Sequence, residues 1–275
     1  MTKKLNGFAK GDIMIKSRKN VILFSLITLG GSLLFWGSLI LFDFKVPNLE
    51  SQEPTKILPM LIYVLNGFIP SIAGLCLYIK QGEKSRLKSL LPKRENLKDT
   101  LLILGLFVLV FLTQTILYRI FVDTYDYKII LAQLGQLLPL IILGPLSEEI
   151  GWRGYLQDQF DTKYPIRVSV LIGMIWGLWH LPLFFMIGTT QQVNQMNFLT
   201  FLILVVLVSY IMTYFYIRNK GSLFIGVLIH YMYTVILTFY ILGTRYSIVS
   251  DVVSIIPVAI VAVMIIFFQT KKKIV

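Results

Sequence analysis

The chain has 275 residues, of which 56% are hydrophobic, and its mean hydropathy is +0.75. A soluble domain is usually about 45–50% apolar, and many apolar runs here approach the ~20 residues that cross a bilayer as a helix. The composition predicts an all-α, polytopic membrane bundle, and the continuous runs argue against an alternating β-barrel. The net charge of +12 does not indicate a nucleic-acid partner, because the basic residues lie in short segments between apolar runs.

Eight membrane-spanning segments are predicted in chain order. They cover approximately 21–41, 58–79, 100–118, 129 to about 154, 168–187, 198–217, 222–242 and 252–268. Residues 1–20 form a basic tail, residues 21–268 one transmembrane domain, and residues 269–275 a second basic tail. Most of the 26 Lys and Arg residues fall on one side, so the positive-inside rule predicts a cell-membrane protein with both termini in the cytoplasm.

Two adjacent carboxylates and an arginine follow the fourth apolar run. A charge at bilayer depth costs at least ~2.5–3.5 kcal/mol, so such residues usually have a function. In a helix, Glu149 and Arg153 share one face and can form an ion pair. Glu148 points about a quarter turn away, over Trp152, and has no charged partner in its own helix.

The chain has two histidines, and both lie in apolar segments. His180 follows Trp176 by four residues, and Gly173 and Gly177 should allow another helix to approach closely. Pro182 is expected to break or bend the helix just after His180.

The second histidine lies on a polar stripe of its own helix. Gly226, His230 and Thr234 recur at four-residue spacing and so share one face. Three helices with polar faces predict a shared cavity, in which Glu148 could act as a general base and a histidine could hold water or protonate a leaving amine. Zinc bound by Glu148, His180 and His230 is the alternative chemistry.

Other interpretations remain open at this stage. The Glu149–Arg153 pair and either histidine could serve packing alone, and a small-solute transporter would also carry buried ionisable groups. The chain has no His-Glu-x-x-His and no Gly-x-Ser-x-Gly motif, which excludes the metalloprotease and hydrolase classes that those motifs define.

These residues resemble the CPBP family, the CAAX protease and bacteriocin-processing (Abi) membrane proteins. The family pattern is Glu-Glu-x-x-x-Arg, then aromatic-x-x-x-His, then His-x-x-x-Asn. The first element corresponds to Glu148, Glu149 and Arg153, and the second to Trp176, where Phe is usual, and His180. The third matches only in its histidine, because Thr234 replaces the asparagine. The resemblance covers approximately residues 137–237.

The resemblance implies an eight-helix fold that hydrolyses a peptide bond of a membrane-associated peptide or protein. It implies that Glu148 activates water with the help of His180, and that His230 and Thr234 form the oxyanion site. Glu149 and Arg153 would hold the site together, without a firmly implied metal. Because Thr234 replaces the asparagine, an alternative function remains: a family member that acts in bacteriocin self-immunity, or as a binding scaffold, with little proteolysis. The substrate and the oligomeric state are not specified by the sequence.

Overall fold

The computed structural model describes residues 15–46, 57–82, 85–122, 143–161, 163–242 and 247–274. These residues are predominantly helical, with one isolated bridge between Ile15 and Phe160. The helices are α1 (Arg18–Leu41), α2 (Ile57–Gly67), α3 (Ile69–Gln81), α4 (Leu97–Phe121), α5 (143–149, continuing as a π-helix over Ile150–Leu156), α6 (Pro165–Trp179), α7 (Thr190–Val193), α8 (Phe198–Arg218), α9 (Leu223–Leu242) and α10 (Ile248–Ile274). Short 3-10 segments cover Ser85–Leu90, Arg94–Asn96, Gln157–Gln159 and Leu181–Phe184.

Within the described ranges, five helices are long and apolar enough to cross a membrane. They are α1, α4 extended from Arg94, α8, α9 and α10, and α2 with α3 gives a sixth if the pair counts as one span. Among the described residues, the all-helical architecture with several apolar helices of membrane-spanning length is confirmed. The count of eight spans and the cytoplasmic termini remain predictions, and the early part of the fourth predicted span lies outside the described residues.

The second predicted span is bent in the structure. Its two halves, α2 and α3, meet at an angle of 54°. Pro70 lies in the first turn of α3, where a proline restricts the helix least because that backbone N–H has no helical partner. The bend brings the carbonyl of Pro70 against Gly151 so closely that a Cβ atom on Gly151 would overlap it.

The segment after the two carboxylates is π-helical and almost completely buried. Residues Gly151 to Leu156 are all enclosed, and Tyr78 of α3 donates a hydrogen bond to the carbonyl of Gly154. Gly74 of α3 faces Gly151, where a Cβ would lie 3.0 Å from the Gly151 Cα. The π-helix is thus held against α3 by backbone contacts that require glycine.

Helix α6 packs closely against α8, as its glycine spacing predicts. A Cβ on Gly173 would lie 2.8 Å from the Cα of Val206, and a Cβ on Gly177 would overlap the side chain of Leu202. The helix, which has 15 residues, then ends at Trp179, well before the end of the fifth predicted span at residue 187. A 3-10 turn over Leu181–Phe184 follows, with Pro182 near its start, and the predicted break after His180 is confirmed.

An aromatic cluster packs between α1, the π-helix and the end of α6. Trp152 packs edge-on against Phe24 at 5.3 Å and against Trp179 at 6.0 Å between ring centroids. Trp179 in turn lies 4.8 Å from Trp36 of α1. Ser32 of α1 donates to the carbonyl of Trp179 at 2.6 Å. Helix α1 therefore fixes the end of α6 from which His180 projects.

Candidate active site

The predicted ion pair within α5 is present and is fully enclosed. Arg153 Nη1 lies 3.4 Å from Glu149, and both side chains are 0% exposed. Gly226 of α9 faces this pair, since a Cβ there would lie 3.7 Å from Glu149 Oε2 and from Arg153 Cγ. The small residue allows α9 to reach the buried charges. A buried pair of this kind is costly to break, because either charge alone would remain uncompensated.

Glu149 has a second partner on α9. Its Oε1 lies 2.8 Å from Nδ1 of His230, which is itself buried. One carboxylate is therefore shared between a guanidinium and an imidazole. Because a carboxylate accepts, Nδ1–H of His230 is the donor, and Nε2 is directed away from Glu149.

Glu148 is bound by an indole rather than by a histidine. Trp176 Nε1 donates to Glu148 Oε2 at 2.7 Å, and Glu148 is 7% exposed. Within the described ranges no hydrogen bond joins Glu148 to His180 or His230, and Oε1 of Glu148 has no hydrogen-bond partner. One oxygen is thus fixed and the other is available to a water molecule or a substrate.

His180 is oriented by the last turn of its own helix. Its Nδ1 lies 2.9 Å from the carbonyl of Trp176. Since a carbonyl only accepts, Nδ1 carries the hydrogen, and the neutral ring presents a lone pair at Nε2. Phe201 of α8 packs against the other side of the imidazole, at 5.2 Å between centroids.

Trp176 contacts every predicted catalytic group. Its indole N–H binds Glu148, its carbonyl binds His180, and its ring lies 4.9 Å from the ring of His230. The guanidinium carbon of Arg153 lies 4.8 Å from the centre of the same indole, which is a cation–π contact. The side chain is 2% exposed. Trp176 therefore fixes the relative positions of α5, α6 and α9.

The hydroxyl of Thr234 is occupied by its own helix. It donates to the carbonyl of His230 at 2.9 Å, and a hydroxyl has only one hydrogen to donate. An asparagine at this position would offer a longer side chain with two amide hydrogens. Thr234 lies one turn from His230 as predicted, but its donor is not directed into the space between the helices.

The donor set does not fit a metal ion. Among the residues that the structure describes, no group of three or more His, Cys, Asp and Glu side chains is arranged to hold one. The described side chains therefore do not provide a zinc site made of Glu148, His180 and His230.

The sequence predicted a cavity shared by Glu148, His180 and His230. In the structure the histidine of α9 binds Glu149, the neighbour of Glu148. Sequence reasoning also missed the indole N–H of Trp176 as the donor to Glu148. The available signal was that Trp stands where the family pattern has Phe, because only Trp brings an N–H.

The fold and these contacts define a multi-pass helical membrane protein with a buried glutamate, arginine and histidine centre. Residues 130–236 match the family model described as Type II CAAX prenyl endopeptidase Rce1-like. The resemblance that the three motifs indicate is thereby confirmed for residues 130–236, which are similar to that family.

A curated relative supports the same resemblance. CAAX prenyl protease 2 of Methanococcus maripaludis is 32% identical over 98 residues, which is 34% of this chain and 36% of the relative. The matched region thus spans about a third of either protein.

Proposed function

We propose that the protein is an intramembrane endopeptidase in which Glu148 is the general base. The observation that carries the proposal is the different environment of two adjacent carboxylates. Glu149 is shared by Arg153 and His230, whereas Glu148 has a neutral indole as its hydrogen-bond donor and one oxygen that no described residue binds. A carboxylate that no cation neutralises directly, in a buried site, suits proton abstraction from water.

The proposed reaction uses this chain's own side chains. Glu148 Oε1 takes a proton from a water molecule that His180 Nε2 orients, and the resulting hydroxide attacks the scissile carbonyl. The carbonyl oxygen becomes an oxyanion, which Nε2–H of His230 stabilises when that imidazole is protonated against Glu149. Glu148 then delivers the proton to the leaving amine as the C–N bond breaks.

The substrate proposed is a peptide or protein held at the membrane. The name of the Methanococcus maripaludis relative refers to prenylated CAAX proteins, so a prenylated C-terminal peptide is one arm of the test. An unprenylated peptide with a membrane anchor is the other, because the similarity covers only part of either chain.

The experiment uses purified full-length protein in liposomes with each of the two peptides. The proposal expects cleavage of at least one peptide, and loss of that cleavage in Glu148→Gln. Glu95→Gln is the matched control, because Glu95 lies on the surface and its ion-pair contacts among the described residues are long, at 3.9 Å to Lys93 and 3.8 Å to Lys220. Cleavage that is equally fast in Glu148→Gln would contradict the mechanism.

One observation favours a second candidate function. The hydroxyl of Thr234 donates to the carbonyl of His230, so the oxyanion site has fewer free donors than an asparagine would provide. A bacteriocin-immunity or binding role of the same fold would not require that donor. If the protein gives cells resistance to a bacteriocin through binding alone, cells that carry Glu148→Gln should keep that resistance. If the resistance depends on peptidase activity, it should be lost together with cleavage.

A further inference from the structure

A large cavity lies apart from the candidate active site, among α4, α8, α10 and the start of α6. Its volume is about 690 Å³, within the ~300–1,000 Å³ of ordinary ligand sites. Most of its lining is apolar, as Leu106, Phe215 and Ile265 illustrate. It is open at the outer surface of the bundle, where Leu102 and Phe268 are 45% and 58% exposed. That surface faces lipid in a membrane-spanning bundle, so an acyl chain can enter from the side.

The polar residues of the cavity include a fixed arginine. Arg218 Nε lies 2.8 Å from Asp99, and its Nη1 donates to the hydroxyl of Tyr214 at 3.2 Å. Asp99 is held in turn by the amide of Asn219 at 2.9 Å. These contacts fix the orientation of the Arg218 guanidinium at the edge of the cavity, although Asp99 offsets its charge.

Two further basic side chains lie near the start of α6, at the same end of the bundle. Lys163 also lines the cavity, and its Nζ lies 5.8 Å from the ring of Tyr164, with the guanidinium of Arg167 at 5.7 Å from that ring. Lys163 and Arg167 are exposed, and the Asp161 carboxylate accepts from the backbone N–H of Lys163.

Helix α10 adds a basic sequence beyond the cavity. It continues past Gln269, a lining residue, to Ile274. These last turns carry Lys271, Lys272 and Lys273. Basic residues next to a bilayer attract anionic lipid, and basic pockets between helices bind lipid headgroups.

We propose that this cavity binds an anionic phospholipid, with its phosphate at Lys163 and Arg218 and an acyl chain against the apolar wall. An acyl chain suits the lipid-facing opening, and a phosphate suits cations that include an oriented guanidinium. A zwitterionic lipid offers the same chain but a cationic group beside its phosphate. The site should therefore select by headgroup charge. This inference does not depend on the peptidase function.

The test is native mass spectrometry of full-length protein in detergent, titrated with phosphatidylglycerol and with phosphatidylcholine of the same chains. Wild-type protein should bind phosphatidylglycerol about five-fold more tightly or better, since each nearby cation contributes about that factor. Lys163→Gln should weaken phosphatidylglycerol about five-fold and leave phosphatidylcholine unchanged. Met264→Trp, which fills the cavity, should weaken both lipids.

The controls separate the cavity from general surface charge. Lys80→Gln makes the same change on an exposed residue of α3 and should not alter binding. Arg218 is left unchanged, because its removal would leave Asp99 uncompensated. Equal affinities for the two lipids in wild type, or unchanged binding in Met264→Trp, would overturn the proposal. So would an equal effect of Lys80→Gln and Lys163→Gln, or displacement of the lipid by millimolar inorganic phosphate alone.

Discussion

Glu149 of α5 and His230 of α9 are joined by a hydrogen bond of 2.8 Å, and Arg153 holds the same carboxylate from one turn further along α5. The centre of the molecule is therefore a cation–carboxylate–imidazole chain with no exposed member other than the edge of the imidazole. Glu148, the neighbouring residue, accepts a hydrogen bond from Trp176 instead. This division of two adjacent carboxylates is the basis of the proposed mechanism.

Trp176→Phe tests whether the indole N–H positions Glu148. The substitution keeps an aromatic ring but removes the donor to Glu148 Oε2. Hydrogen bonds to charged groups contribute ~1.5–3 kcal/mol, so kcat should fall about 10–100-fold with KM changed little.

Trp179→Phe is the matched control for that variant. Trp179 is equally buried, but its Nε1 has no hydrogen-bond partner among the described residues. Its ring packs edge-on against His180 at 4.6 Å between centroids, so its replacement should lower thermal stability and reduce kcat, but by no more than about three-fold, since no donor to the site is lost. Equal loss of kcat in both variants would assign Trp176 to packing alone.

Arg153→Met should destabilise the fold strongly. It leaves Glu149 buried with His230 as its remaining ionisable partner, and breaking a buried pair typically costs ~3–5 kcal/mol. Thermal unfolding in detergent measures the effect. Arg167→Met, on an exposed arginine of α6, should unfold within a few degrees of wild type. Identical midpoints for the two variants would contradict a structural role for the ion pair.

Gly151→Ala should disturb the packing of α5 against α3. A Cβ there overlaps the carbonyl of Pro70, which belongs to the backbone and cannot move as a side chain does. Overpacking of this kind costs ~1–3 kcal/mol, and the unfolding midpoint should fall accordingly. Gly105→Ala is the control, because nothing lies within 4 Å of its Cβ, and it should unfold at or above the wild-type temperature.

Substitutions of Thr234 test the oxyanion site. Because the hydroxyl donates to the carbonyl of His230, Thr234→Val should lower kcat by less than about three-fold. Thr234→Asn adds an amide donor, and since loss of one oxyanion donor costs ~10²–10³ in rate, kcat should rise at least about ten-fold. A steady-state cleavage assay measures both. A large loss in Thr234→Val would show that the hydroxyl itself stabilises the oxyanion.

Much of the local structure could be predicted from the sequence. The i, i+4 spacing of Glu149 and Arg153 predicted their ion pair. The spacing of Gly173 and Gly177 predicted the close approach of α6 to another helix, and Pro182 predicted where α6 ends. Each of these follows from geometry within one helix. The two remaining features depend on other parts of the fold.

The first of these features is the partner of each carboxylate. Spacing within α5 separates Glu148 from Glu149 by about a quarter turn, but it does not fix which of them α9 faces. The second is the π-helix from Ile150 to Leu156, which forms where Gly151 meets the bent α2–α3 pair. That bend depends on tertiary packing, so an α-helical projection of α5 could not place its last turns.

The most direct test of the account is the rate of peptide cleavage by Glu148→Gln, measured with purified protein in liposomes. The side chain keeps its shape and still accepts a hydrogen bond from Trp176, but an amide cannot act as a general base. Because general acid–base catalysis contributes ~10²–10⁴-fold, the account predicts a fall in kcat of at least about 100-fold at an unchanged unfolding temperature. A folded Glu148→Gln protein that cleaves at the wild-type rate would contradict it.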